Sequence, residues 1–276
     1  MASRAPGSRW PRRVALYAAA CLMALWTVTP IVLIALASFT GREELYSWPR
    51  PVIPSRFSME SFLFFMRAHG VLRATLNSVL VALLTVVISL ALGAPAGYAL
   101  ARFRFFGREA FALGILATRM FPTAVLAIPL AVMFIRWGLY DTLWGITLVH
   151  VSLALPFVVL VTSSVFVRVP KDLEEAATSL GCSRLGAFVR VTLPLALPGL
   201  AAAGIFTFVV SWNETFAATI LSVANRTLPA HIMATLGASP LNFKFAGGFF
   251  MILPALIFIL IIRRYLIHMW GVGINK

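Results

Sequence analysis

Several motifs that would announce chemistry are missing. A G-x-x-x-x-G-K phosphate loop needs a lysine after a glycine, and none of Lys171, Lys244 and Lys276 follows one, so the chain has no ATP cradle of that type. His69, His150, His231 and His268 stand singly, with no H-E-x-x-H or C-x-x-C pair to hold a metal. No G-x-S-x-G elbow is present, and the only two cysteines, Cys21 and Cys182, exclude a disulfide framework. Catalytic and metal sites are therefore expected to be none. Charge is scarce as well, at 12% of residues, whereas 61% are hydrophobic. With a mean hydropathy of +0.93, that composition excludes a soluble globular domain and defines a polytopic membrane protein.

The net charge of +14 does not point to nucleic acid, because the basic residues flank apolar runs instead of gathering on one face. Twenty of the 23 basic residues are arginine. Six stretches are long enough to cross about 30 Å of hydrocarbon as helix. They lie near 14–39, 74–101, 111–135, 143–167, 197–222 and 245–264. Prolines 30, 95, 122, 129, 156 and 254 fall inside them, which bundled membrane helices tolerate. The fold class is all-α, with no internal repeat, and the whole of 1–276 reads as one transmembrane domain. The basic N-terminal flank followed by an uncharged run reads as an uncleaved first span, although Ala35-Leu36-Ala37 resembles a cleavage site.

Orientation follows from the arginines and lysines. With the N-terminus inside, one side holds Arg4, Arg9, Arg12, Arg13, Arg102, Arg104, Arg108, Arg168, Lys171, Arg184, Arg190, Arg263, Arg264 and Lys276. The other holds Arg42, Arg50, Arg56, Arg67, Arg73, Arg136, Arg226 and Lys244. Both termini and the 168–194 loop are expected in the cytoplasm, in a multi-pass protein of the bacterial cytoplasmic membrane. Outside, 41–73 should start extended around Pro49, Pro51 and Pro54 and then form a short helix after Ser58. The loop 223–244, with Pro229, Gly237 and Pro240, reads as irregular.

The polar loop 168–194 is far longer than a bare crossing requires. Pro170 suits a first helical turn, and Asp172, Glu174 and Glu175 suit the positive end of its dipole. Ala176 and Ala177 extend the helix with small side chains, Gly181 breaks it, and a second short helix is expected over 184–191, ended by Leu193-Pro194. Such a helix-turn-helix offers an alanine face for close approach and carboxylates for a partner's basic residues.

Glu175-Ala176-Ala177, three residues, Gly181, nine residues, Val191, one residue and Leu193-Pro194 together resemble the EAA loop of ABC importer permeases, with valine for isoleucine. Further stretches are similar to the MalG-type carbohydrate-uptake branch: Asn77-Ser78, the run 97–103, Arg119-Met120-Phe121-Pro122, Ser211-Trp212-Asn213-Glu214 and Arg264-Tyr265-Leu266. The tail 269–276 departs from the branch. The resemblance implies six transmembrane helices with a cytoplasmic coupling loop, the type I importer architecture. It implies a second permease subunit, a cytoplasmic ABC ATPase dimer that binds ATP and Mg, an extracytoplasmic solute-binding protein and no cofactor on this chain. The coupling residues it implies are Asp172, Glu174, Glu175, Ala176, Ala177, Gly181, Leu193 and Pro194, with Glu175 pairing an ATPase arginine.

Two ionisable residues lie inside expected spans and are functional candidates on that ground. Arg119 lies roughly 12 Å from the inner edge and Glu214 roughly 25 Å, so a direct pair would need tilt or a helix break. Trp212, Asn213 and Glu214, with Arg119, are the candidate solute path or gate, since a tryptophan beside polar groups suits a sugar ring. The alternative for Glu214 is a bond to a neighbouring subunit or to backbone. The expected solute is a disaccharide such as trehalose or maltose, with glycerol phosphate or another polyol as the competing class. A stand-alone secondary transporter would want inverted repeats or several buried titratable groups, and only Arg119 and Glu214 qualify.

Overall fold

Apolar runs punctuated by proline and short polar turns leave the backbone one way to satisfy itself in lipid, which is helix. The computed structural model describes residues 9–235 and 237–270. Its helices in chain order are α1 (Arg9–Ser38), α2 (Arg42–Leu45), α3 (Glu60–Arg67), α4 (Val71–Arg102), α5 (Arg108–Ala117), α6 (Thr123–Arg136), α7 (Leu143–Arg168), α8 (Lys171–Ser179), α9 (Arg184–Ala187), α10 (Leu193–Asn213), α11 (Phe216–Leu221), α12 (Leu228–Thr235) and α13 (Leu241–Trp270). Among the described residues extended backbone pairs only at an isolated bridge between Thr40 and Phe57. The chain forms two compact units.

The first unit joins α1, α2 and α3 to the start of α13, up to Phe250. Aromatic rings hold it: Phe39 lies 5.2 Å from Phe249, and Phe65 lies 5.0 Å from Phe243. Ser38 Oγ donates to the Phe245 carbonyl at 2.8 Å. The short helix after Ser58 forms, but its cap position is Met59, and Ser58 Oγ accepts only from the Glu60 N–H two residues on, at 3.2 Å.

The second unit is built on α4, α7 and α10. Small residues let α4 and α7 approach closely, the usual means of packing helices where lipid removes the hydrophobic drive. A Cβ at Gly97 would fall onto Thr162 Oγ1 and within 2.8 Å of the Val159 carbonyl oxygen. Thr162 Oγ1 uses the approach to donate to the Gly93 carbonyl at 3.0 Å. Toward the 168–194 loop, Ala94, Phe166, Val169, Ala196 and Leu200 form a buried cluster with Tyr98 and Phe188 packed on it.

The expected spans need several corrections. Among the described residues four helices are long and apolar enough to cross a membrane: Arg13–Ser38, Val71–Arg102, Leu143–Arg168 and Arg184–Asn213. The third expected span, 111–135, is instead a pair of helices bent by 90°, which counts as a fifth only if the pair is one span. Pro122 is the reason: Phe121 before it takes extended backbone (φ −73°, ψ 121°), as a pre-proline residue prefers, and the helix stops. The sixth expected span, 245–264, falls within α13.

The second loop helix does not end at Leu193-Pro194 as expected. A widened π turn, Phe188–Thr192, carries α9 straight into α10, so Pro194 lies within one continuous helix, directly after the π turn. The fifth expected span, 197–222, breaks at Glu214, whose extended backbone (ψ 119°) separates α10 from α11. The loop expected to be irregular contains α12. Of the divergent tail, 271–276 lies outside the described residues.

Candidate functional site

The loop between α7 and α10 begins with Pro170 at φ −58°, in the cap position ahead of α8. At its end Gly181 takes φ +91°, a left-handed conformation that glycine adopts without a steric penalty. The Gly181 N–H bonds the Thr178 carbonyl at 3.0 Å and the Cys182 N–H bonds the Ala177 carbonyl at 3.0 Å. This paired closure satisfies two orphan carbonyls and turns the chain. Ser183 then caps α9, accepting from the Gly186 N–H at 3.1 Å, a signal the sequence carries in the serine itself.

Of the two adjacent glutamates of α8, Glu174 is partly buried and Glu175 is exposed. Glu174 points inward, with 14% of its side chain exposed, and Arg102 with 7%. Its Oε1 accepts from Arg102 Nε at 2.8 Å and from Thr192 Oγ1 at 2.7 Å, while Oε2 accepts from the Tyr98 hydroxyl at 3.0 Å. Arg102 also donates to the Val169 carbonyl at 2.8 Å. The Glu174 carboxylate thus fastens α8 to the end of α4 and the entry to α10, and Arg102 ties the exit of α7 to the same point. Burial alone would push the Glu174 carboxyl up, but hydrogen bonds from Arg102, Thr192 and Tyr98 outweigh it and hold the group below its ordinary value.

Glu175, Asp172 and Ala176 are exposed, whereas Ala177 is buried at 8%. Gly181 is exposed at the turn, and Leu193 and Pro194 lie in the continuous helix at the start of α10. The outer surface of the loop also carries Leu180, 88% exposed, and Leu185, 72% exposed, which the sequence reading did not single out. A cavity of about 410 Å³ separates α8 from the end of α4, lined by Tyr98, Arg102, Lys171, Glu174 and Arg184 among others.

The other candidates do not converge. Trp212 is 1% exposed, its indole N–H donates to the Met251 carbonyl at 3.1 Å and its ring stacks on Phe208, so it offers no free face to a sugar. Asn213 is exposed and bonds back to the Val209 carbonyl at 2.8 Å. Arg119 lies exposed in the short turn Thr118–Met120 and does not pair with Glu214.

Glu214 instead pairs with His150, a residue the sequence left among four scattered histidines. His150 Nε2 lies 3.2 Å from Glu214 Oε2, and its Nδ1 lies 2.8 Å from Ser211 Oγ. Ser211 in turn reaches Thr85 Oγ1 at 3.5 Å, so the polar string joins α7, α10 and α4. Both carboxylate oxygens of Glu214 also accept backbone N–H groups of α11, from Ala217 at 2.9 Å and Ala218 at 3.0 Å. The break at Glu214 and the start of α11 therefore share one cause. The only signal in the sequence was an ionisable pair at membrane depth.

Long small-residue-packed helices joined by one structured polar helix-turn-helix define a helical membrane protein. The chain belongs to the family described as binding-protein-dependent transport system inner membrane component, whose profile matches residues 89–268. It is 34% identical over 222 residues to the trehalose transport system permease protein SugB of Mycobacterium tuberculosis, covering 78% of this chain and 81% of that protein. It is 31% identical over 258 residues to the arabinooligosaccharides transport system permease protein AraQ of Halalkalibacterium halodurans, covering 91% and 92%. The fold matches a chain of a bacterial ABC transporter involved in the import of the acidic polysaccharide alginate, with a TM-score of 0.77 and 22% identity over 96% of this chain and 99% of that one. This is an ABC importer permease of the carbohydrate-uptake branch.

Proposed function

We propose that the chain is one of two permease subunits of an ATP-driven importer for a disaccharide such as trehalose or maltose. A solute-binding protein delivers the sugar on the extracytoplasmic side, and a separate ATPase dimer in the cytoplasm binds ATP and Mg. In this reading both termini and the α8–α9 loop face the cytoplasm, as the distribution of arginines favours.

The observation that carries the reading is the division of labour on α8. Glu174 fastens the helix to the end of α4 and the entry to α10, while Asp172, Glu175, Leu180 and Leu185 are left exposed on the same loop. A partner that pushes on the outer surface would move the spans through the inner bond. Glu175→Ala and Gly181→Asp test this in cells carrying the complete transporter. Uptake of labelled trehalose or maltose should fall about tenfold or more, the loss of one charged contact at a partner surface, while the protein stays in the membrane. Normal uptake by both variants would remove the coupling role of the loop.

A further inference from the structure

The α4 helix is about 48 Å long for its 32 residues, and the far end from Glu174 carries a second concentration of charge. There His69 and Arg73 at the start of α4 meet Arg226, which precedes α12, and His231 within α12. They line a cavity of about 340 Å³, with Asn77 one turn further along. We propose that this cavity is a binding site for a phosphate group, and that the phosphate belongs to the headgroup of an anionic phospholipid whose chain lies along α4.

The charge count favours an anion. Arg73 and Arg226 are fixed cations, and the carboxylate that opposes Arg226 is Asp141. Asp141 is already committed, since its oxygens accept the backbone N–H groups of Val223 at 2.8 Å, Ala224 at 3.0 Å and Asn225 at 2.9 Å. Donors remain on the basic side. Arg73 gives one NH2 to Asn225 Oδ1 at 2.9 Å, and Arg226 Nε is buried with no hydrogen-bond partner among the described residues. A buried charged donor left unsatisfied is costly, and an anionic oxygen is the group that satisfies it. The crowding of positive charge also reaches His231. Burial first, and then the charge of Arg226, push its imidazole below the ordinary value, against an opposing hydrogen bond at His69. A bound anion would relieve that repulsion.

The surroundings name the source of the phosphate. Arg73 stands at the head of an exposed apolar strip on α4 formed by Leu72, Leu76, Val79, Leu80 and Leu83. From Leu72 to Leu83 the strip rises roughly 16 Å, most of the length of an acyl chain. A basic side chain at the edge of the hydrocarbon reaches the headgroup layer, and a basic pocket there recognises an anionic headgroup. Free phosphate would account for the cavity but not for the strip.

The test uses the purified full chain in mixed micelles, with phosphatidylglycerol, phosphatidylcholine and inorganic phosphate as probes and bound lipid counted by native mass spectrometry. Phosphatidylglycerol should bind in preference to phosphatidylcholine, and the R73Q/R226Q variant should bind it about thirtyfold more weakly. The R73K/R226K variant should recover most of the affinity. Equal phosphatidylglycerol binding by wild type and R73Q/R226Q would overturn the site. Inorganic phosphate binding as tightly as the lipid, and as sensitive to R73Q/R226Q, would overturn the lipid as its source. If R73Q/R226Q does not fold, the wild-type chain decides: phosphatidylglycerol must raise its melting temperature more than phosphatidylcholine does, and equal shifts overturn the proposal.

Discussion

Consecutive residues on a helix point about 100° apart, so Glu174 and Glu175 cannot do the same work. Glu174 spends both oxygens on Arg102, Thr192 and Tyr98, and its removal leaves a buried guanidinium without its carboxylate. Glu174→Gln should cost about 3 kcal/mol, the low end for breaking a buried ion pair, and should speed proteolysis of the α8–α9 loop. Glu175→Ala should change stability by less than about 0.5 kcal/mol, because the side chain is exposed, although uptake falls. Thermal unfolding of the two variants in detergent separates these outcomes.

The pH dependence of the same bond has a definite sign. The folded Glu174 carboxyl lies below its ordinary value of 4.5, so its stabilisation is complete above that value and disappears as pH falls through the folded one. The melting temperature of the wild type should therefore drop more steeply below pH 4.5 than that of Glu174→Gln, and parallel curves would contradict the assignment. The motif around these glutamates is legible in the sequence, but their facing is not. It depends on Tyr98 and Arg102, 76 and 72 residues earlier, and on Thr192, 18 residues later. His150 was hidden for the same reason, since its partner Glu214 lies 64 residues away on another helix.

Elements end where a local residue forces them to, and those ends were legible to differing degrees. Gly181 was read as a breaker and takes the left-handed turn that ends α8. Nothing lies within 4 Å of a Cβ built there, so Gly181→Ala should cost about 1 kcal/mol through backbone conformation alone, measurable as a lowered melting temperature. Gly97→Val should cost considerably more, because its Cβ meets Thr162 and the Val159 backbone and must push α4 from α7. A melting temperature unchanged by Gly97→Val would show that the close α4–α7 packing does not hold. Pro122 and Glu214 both fall inside expected spans that the backbone breaks at those residues. Hydropathy averages over a window and does not register that a pre-proline residue turns extended, or that a carboxylate caps a new helix on its own far side.

At the scale of the whole molecule, composition and hydropathy point to an all-helical membrane protein with one polar loop, and the resemblance of that loop to the EAA loop points to a permease. The family match over residues 89–268 and the fold match agree with that reading. What composition could not reach is how the polar groups are shared. Glu174 is held at one end of α4, and the cavity of Arg73 and Arg226 lies at the other. The central claim is that the chain moves sugar only when a partner ATPase drives the outer surface of α8. Solute accumulation in liposomes tests it most directly, comparing this chain alone with the complete reconstituted transporter, with and without ATP. The account predicts accumulation of trehalose or maltose by the complete transporter with ATP, and none in the other cases. Sugar moving across liposomes that hold this chain alone, with no ATPase present, would contradict it.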